Sequence, residues 1–390
     1  MKQKRLAPRK SSLIISGILV GLAGWLIVST IHHREEVDNP PQEKTQLPSS
    51  GIHTETAPAP APRNPLIRLG YYTGDEDSFA AVQNAAASLT IVSADVYAVQ
   101  FDGSISGGDT LGVVEWDKAR GIETFACISN YNNDPSVNDF DAQLAHAAIV
   151  TQRDALIDDL LALAREGGYS GINIDFENLA YSSNIEEDRA AFTLFIHDLA
   201  GRLHAESFRL IISVPGKNND SIENTWAYPF DLAAVGADAD YLQLMTYDQH
   251  GPWGEPGAVS GADWVEECLR YTTTLVDPQK LLIGLPAYGY DWDLSASGAG
   301  NGEYSATDIS WQDFDTVSAK PGAKTGWDAD SQTPFITYTE NGHAHIAWIE
   351  NVESLRAKLG LMKKYDLAGL SMWALGKEDA SFWQAAEAGL

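Results

Sequence analysis

Cysteine is nearly absent. Cys127 and Cys268 are the two in the chain, too few for a disulfide scaffold, and neither lies in a C-x-x-C redox or metal motif. Cys127 falls in the apolar run Thr124–Ile128 and Cys268 in a helical pattern, which reads as two buried thiols; a single bridge stays open. Basic residues are scarce too. Residues 1–66 hold 8 of the 26 Lys and Arg and 5 of the 54 Asp and Glu, so residues 67–390 carry 18 and 49, a formal −31. Such a surface repels nucleic-acid phosphate, and no DNA or RNA partner is expected. No G-x-G-x-x-G follows the first apolar run, which argues against a dinucleotide fold, and Ser213 has no G-x-S-x-G around it. His343-Ala344-His345 has strand spacing, but the sequence identifies no acidic or histidine partner, so neither a metal nor a cofactor is expected.

Long hydrophobic runs are also missing, with one exception. Leu13–Ile31 is almost uninterrupted, and 19 residues at helical rise span about 28 Å, close to a bilayer's hydrocarbon core. Lys2, Lys4, Arg5, Arg9 and Lys10 precede it, and Glu35, Glu36 and Asp38 follow. That asymmetry puts residues 1–12 in the cytoplasm, 13–31 across the cell membrane and the rest outside, as a single-pass protein. A cleaved signal peptide shares the charged start and would give a secreted protein, but the run is long for one and no Ala-x-Ala site follows. Residues 32–65 read as a tether, with Pro40-Pro41 and the alternating Ala57–Pro62 favouring extended polyproline II.

From residue 66 the pattern changes to short apolar runs alternating with amphipathic stretches. The strands expected are Ile67–Tyr72, Ile91–Val99, Thr124–Asn130, Gly171–Glu177, Leu210–Pro215, Tyr241–Tyr247, Leu281–Tyr288 and Ala368–Leu375. Helical patterns include Asp139–Arg165, Glu186–Ala205, Ala262–Thr274 and Val352–Tyr365. Eight alternations predict an α/β fold, a (β/α)8 TIM barrel over 66–390. A small α+β insertion is expected at 291–349, between strands 7 and 8, where Gly, Ser, Trp and Asp are frequent.

The fourth strand carries the chemistry. In Ser170-Gly171-Ile172-Asn173-Ile174-Asp175-Phe176-Glu177-Asn178, strand alternation puts Asn173, Asp175 and Glu177 on one face and Ile172, Ile174 and Phe176 on the other. Stacked polar groups inside a barrel are costly unless they hydrogen-bond or react, since structural barrel layers use Val, Ile and Leu.

This stretch resembles the D-G-x-D-x-D-x-E signature of glycoside hydrolase family 18, the chitinase-like enzymes. It is most similar to the spore-cortex and cell-wall N-acetylglucosaminidase type. Met245-Thr246-Tyr247-Asp248, Gly284–Trp292 and Gly369-Leu370-Ser371-Met372-Trp373 resemble the family's sixth, seventh and eighth strands, in order. The resemblance implies a retaining glycosidase in which the substrate's acetamido group is the nucleophile. It implies Glu177 as proton donor, Asp175 as partner of the acetamido N–H, Tyr247 on the acetamido oxygen and Trp373 as the floor under the scissile sugar. Asp248 would support the same polar cluster or serve structure. Two positions depart from the signature: Ser170 replaces its first Asp, and Asn173 replaces the next. Asn173 cannot share a proton with Asp175 as a second carboxylate would, though it can donate a hydrogen bond to it.

Asn173, Asp248, Tyr288, Trp292 and Trp253 complete the expected substrate-binding set, since sugar rings stack on aromatic planes. Tyr131, Tyr181 and His250 are weaker candidates. The function expected is hydrolysis of a carbohydrate polymer containing β-linked N-acetylglucosamine, with peptidoglycan preferred over chitin, by a monomer. The alternative from another class is a sugar-binding barrel without turnover.

Overall fold

The computed structural model describes residues 65–295 and 305–389. The expected membrane segment Leu13–Ile31 and nearly all of the expected tether lie outside them. Among the described residues, no helix is long and apolar enough to cross a membrane.

Eight parallel strands close on themselves: β1 (Ile67–Tyr72), β2 (Ile91–Val99), β3 (Glu123–Ser129), β4 (Gly171–Asp175), β5 (Arg209–Pro215), β6 (Tyr241–Met245), β7 (Leu281–Pro286) and β8 (Gly369–Trp373). Closure is direct, with β1 hydrogen-bonded to β2 on one side and β8 on the other. All eight expected strands are present, with ends within two residues of expectation. Strands 4, 6, 7 and 8 each end two residues early, where the chain leaves the ladder to enter the mouth of the barrel.

Two cores hold the barrel. Outward-facing Ile172, Ile174 and Phe176 pack under Phe192, Phe195 and Leu199 of the helix Ile185–Ala205, with Phe176 and Phe195 stacked at 6.0 Å. Burying a side chain such as Phe176 contributes roughly 1.5–3 kcal/mol. Inside, Leu69, Tyr71, Ile91, Phe125, Cys127, Ile211 and Leu282 form an apolar plug, with Trp373 against it. The plug leaves the upper barrel to polar side chains. Both cysteines are free and buried, so they do not pair.

The helical pattern expected over Asp139–Arg165 is broken. Asp139–Phe140 pairs with Tyr131–Asn132, Asp141 caps the helix Ala142–His146, and a π turn (Ala147–Thr151) leads into the helix Arg153–Gly167. The Asp141 carboxylate accepts from the Gln143 and Leu144 amides, so the chain starts its helix three residues later than periodicity suggests.

The insertion is a five-stranded antiparallel sheet with spatial order Ala306–Ser310, Tyr288–Asp293, His343–Ile349, Thr333–Glu340 and Lys324–Asp328. It begins at Tyr288, three residues before the boundary expected. At its return to the barrel, Lys358 of the helix Val352–Lys364 makes a 2.7 Å ion pair with Glu350, both buried. Losing one member of such a pair strands a charge away from water. Lys358→Ala should therefore lower unfolding free energy by roughly 3–5 kcal/mol in denaturant titrations. The double change Lys358→Met with Glu350→Leu should recover most of it.

Candidate active site

Every expected catalytic residue sits at the C-terminal end of the barrel strands, where backbone leaves the sheet and side chains from several strands converge. Glu177 lies two residues beyond β4. Its backbone is gripped from the end of β3: the Asn130 amide donates to the Glu177 carbonyl at 2.8 Å, and the Glu177 N–H donates to Asn130 Oδ1 at 2.8 Å. Asn130 is fully buried. Next, Asn178 takes a left-handed φ of 52° and donates to the Phe140 carbonyl, turning the chain just after Glu177. Burial pushes the Glu177 carboxyl well above the usual range, and the charges of Asp175, Asp248, Asp95 and Asp139 push the same way. Its surroundings therefore favour the protonated form, the form a general acid requires.

Asp175 is buried beneath it, and desolvation raises its pKa while the Ser213 hydroxyl opposes the rise. Asn173 is fully buried one layer lower, correcting its expected contact with substrate. Its Oδ1 accepts from Tyr71 at 2.9 Å and Ser93 at 2.8 Å, and its amide donates to Ser213 at 3.1 Å. The amide expected to support Asp175 directly acts instead through Ser213. Sequence reasoning missed Ser93, Ser213, Asn130 and Asp95. The signal for two of them was available: Ser93 and Asp95 alternate within the otherwise apolar Ile91-Val92-Ser93-Ala94-Asp95.

Tyr247 follows β6, with the Gln243 amide donating to its hydroxyl at 3.4 Å. Burial and the nearby Asp175 and Glu177 raise the Tyr247 pKa, so the phenol stays a donor. Room for it comes from Gly284: a Cβ there would lie 2.9 Å from the Tyr247 ring and 2.1 Å from the Leu244 carbonyl. Asp248 takes a left-handed φ of 58° and accepts from Tyr288 at 2.6 Å and Tyr290 at 3.4 Å. Although Asp248 keeps an exposed surface, the protein around it raises its carboxyl pKa, against those two donors.

The aromatic residues divide by exposure. Trp373, half-buried at the end of β8, packs on Tyr71 with ring centres 5.4 Å apart. Trp253 is 58% exposed and lies edge-on to Tyr290. Trp292 is fully buried, its indole N–H reaching the Gly254 carbonyl at 3.3 Å. It therefore anchors the Trp253 loop from behind and offers no face to a sugar, contrary to expectation. Tyr288 is buried too and acts by holding Asp248. Among the weaker candidates, Tyr181 is exposed beside His146, the Tyr131 hydroxyl donates to the Asn138 carbonyl, and the His250 ring meets the Glu255 carbonyl at 3.1 Å. His343 and His345 do have acidic partners: the neighbouring strand sets Asp293 2.7 Å and Asp291 3.2 Å from them. Each ring belongs to its own hydrogen-bonded pair.

Residues 69–378 match the sequence model described as Glycosyl hydrolases family 18. The chain belongs to this family. It is 34% identical over 326 residues to the uncharacterized glycosylase YvbX of Bacillus subtilis strain 168, covering 83% of this chain and 91% of that protein. A chitinase structure from Chromobacterium violaceum superposes with a TM-score of 0.76 at 34% identity, covering 83% of this chain and 99% of that one. The spore cortex-lytic enzyme SleL of Bacillus megaterium gives 0.75 at 25% identity, covering 86% and 76%.

A proton donor must be fixed relative to the bond it cleaves, and Asn130 gives the Glu177 backbone such fixity from a neighbouring strand. Asn130→Ala should lower kcat on the order of 10- to 100-fold with little change in KM, because small displacements of a reacting group are costly. Steady-state kinetics, with melting temperature as a folding control, test this.

Proposed function

We propose that this glycosidase hydrolyses β-linked N-acetylglucosamine-containing glycans, peptidoglycan strands in particular, with retention and with the substrate's acetamide as nucleophile. The observation that carries the reading is a pair of carboxyls on one strand face with different hydrogen-bonding. Burial and then negative neighbours raise the Glu177 pKa at the mouth, while Asp175, two residues earlier, is supported by a donor that favours its ionised form. Glu177 protonates the glycosidic oxygen as the C1–O bond breaks, and the acetamido oxygen closes on C1 to give an oxazolinium ion. Asp175 holds the acetamido N–H and Tyr247 the acetamido oxygen, and Trp373 lies under the ring. The Glu177 carboxylate then takes a proton from the water that attacks C1 and opens the ring. Two inversions leave the β configuration.

Similarity to a spore cortex-lytic enzyme supports peptidoglycan. So does the expected membrane segment Leu13–Ile31, which would hold the barrel outside the cytoplasm on its Pro-rich tether. Chitin oligomers are the second reading, favoured by the 34% identity to a chitinase.

Glu177→Gln should fold and lose at least about 10²-fold in turnover on unactivated substrates, the low end of general-acid contributions. Proton NMR should show the β-anomer as first product. A glycan with a free amine at the cleaved sugar should not turn over, and its efficient cleavage would sink the acetamide as nucleophile. Muropeptides and chitin oligomers run side by side decide the substrate. For the anchor, the mature protein should sediment with membranes and retain Leu13–Ile31 by mass spectrometry; a mature N-terminus beyond residue 28 would replace anchor by signal peptide.

A further inference from the structure

Asn173 leaves Asp175 without a carboxyl partner on its own strand, yet a carboxyl reaches it from elsewhere. A carboxylate oxygen of Asp95 on β2, the Cys127 sulfur on β3 and a carboxylate oxygen of Asp175 on β4 all lie within 4.8 Å of one another. The backbone specifies this meeting. In the β2–β3 ladder Asp95 pairs with Cys127, but the next pairing is Tyr97 with Ile128, so Val96 is an extra residue, a β-bulge directly after Asp95. The Val96 carbonyl released by the bulge accepts from the Gly108 N–H at 3.1 Å. Gly107 is required for that approach, since a Cβ there would sit 1.9 Å from the same carbonyl. Bulges re-aim the residues beside them, and this one is pinned from both sides.

We propose that Asp95 is the proton-sharing partner of Asp175: a protonated carboxyl delivered from β2 that keeps the buried Asp175 ionised and ready to accept the substrate's acetamido N–H. Two carboxyls this close, Asp175 buried and Asp95 half-buried, cannot both ionise without cost, so one proton belongs to the pair. It rests mainly on Asp95, for two reasons. Burial raises both acids, and the charge of Asp175 raises Asp95 further; each has one opposing donor, and the Ser213 hydroxyl on Asp175 is a stronger one than the Cys127 thiol on Asp95. The other groups facing the pair are neutral or acidic. They are Tyr71 from β1, the Cys127 thiol, which hydrogen-bonds Asp95, Tyr247 beyond β6 and Glu177 above. Burial and the two carboxyls hold the Cys127 thiol well above its usual pKa, so it keeps its hydrogen and acts as a donor. The arrangement replaces the second carboxylate of the family signature with one from a different strand. Its catalytic consequence rests on the acetamide mechanism above; the shared proton itself does not.

The Cys127 S–H stretch is an infrared probe of Asp95 in the full-length chain, assigned by its absence in Cys127→Ser. It should shift as Asp95 ionises, with a midpoint raised above the ordinary Asp range. In Asp175→Asn, where the like charge is gone, that midpoint should fall by at least about one pH unit. An unchanged midpoint overturns the proposal. Kinetics give a second test. Asp95→Ala removes the donor, so the Asp175 pKa rises and the acidic limb of kcat/KM should move up by about one unit; the neutral amide of Asp95→Asn should restore it. Identical limbs in wild type, Ala and Asn variants would reduce Asp95 to packing. Should the glycan reading fail, the infrared coupling still stands; should the coupling fail while hydrolysis proceeds as described, Asp95 alone loses its role.

Discussion

Desolvation of carboxyls is the constraint from which the rest of the site follows. Asp175 and Glu177 stand above an apolar plug of Leu69, Phe125, Cys127, Ile211 and Leu282, where water does not reach them freely. In that setting an ionised carboxylate persists only where donors face it, and an unassisted one takes up a proton. The barrel supplies donors unevenly. Ser213, itself fixed by Asn173 and Tyr71, serves Asp175, whereas Glu177 receives support along its backbone from Asn130 and meets negative neighbours at its carboxyl. One strand thus presents two chemically alike side chains that differ in the donors and charges around their carboxyls. In the proposed mechanism, acid catalysis and cation stabilisation are then separate tasks of residues two positions apart.

The support lies on strands other than the one it serves. Asn130 comes from the end of β3, Ser213 from β5, Ser93 and Asp95 from β2, and Tyr71 from β1. Closure of the sheet brings β1 beside both β2 and β8, and this lets the Tyr71 phenol donate to Asn173 while its ring backs Trp373. The same closure explains two glycines that approach a neighbouring backbone closely. Gly171 and Gly284 lie where a Cβ would come within about 2.1 Å of a neighbouring strand's carbonyl, so the strands converge there without side chains between them. Stability and function therefore share residues: the contacts that close the barrel also set the hydrogen bonds of the site.

This division also accounts for what the sequence revealed. The eight strands were legible because each is an apolar run with a clear end, and the Asn173/Asp175/Glu177 face because a period of two needs no knowledge of neighbours. Asp95 was within reach as a polar residue in an apolar run, but its significance depends on a bulge and on which strand closes beside which. Trp292 misled because its position just past a strand end says nothing about which face it shows. The neighbouring chain puts it inward and leaves Trp253 outward. His343 and His345 seemed unpaired in sequence because their partners Asp293 and Asp291 lie some 50 residues away, across an antiparallel register. Local pattern reports which residues are unusual; pairing across strands decides what they do.

The cost of holding these acids sets the direction in which the site and the fold oppose each other. Asp95, Asp175 and Glu177 each have a folded pKa raised above the unfolded value. Each therefore favours the folded state fully below the unfolded carboxyl range, and that contribution is lost as pH climbs through the folded pKa. The proposed mechanism requires Asp175 ionised and Glu177 protonated together, a state that exists only inside the same window. At its acidic edge the fold is relaxed but Asp175 is neutral; at its basic edge Asp175 is ready but Glu177 has lost its proton and burial works against every charge. Delivering the partner carboxyl from β2 moves the first edge outward, because a proton placed on Asp95 lets Asp175 ionise without adding a second buried charge. The fixed backbone of Glu177 does nothing for its charge, and that leaves the second edge to desolvation and to the negative neighbours of its carboxyl.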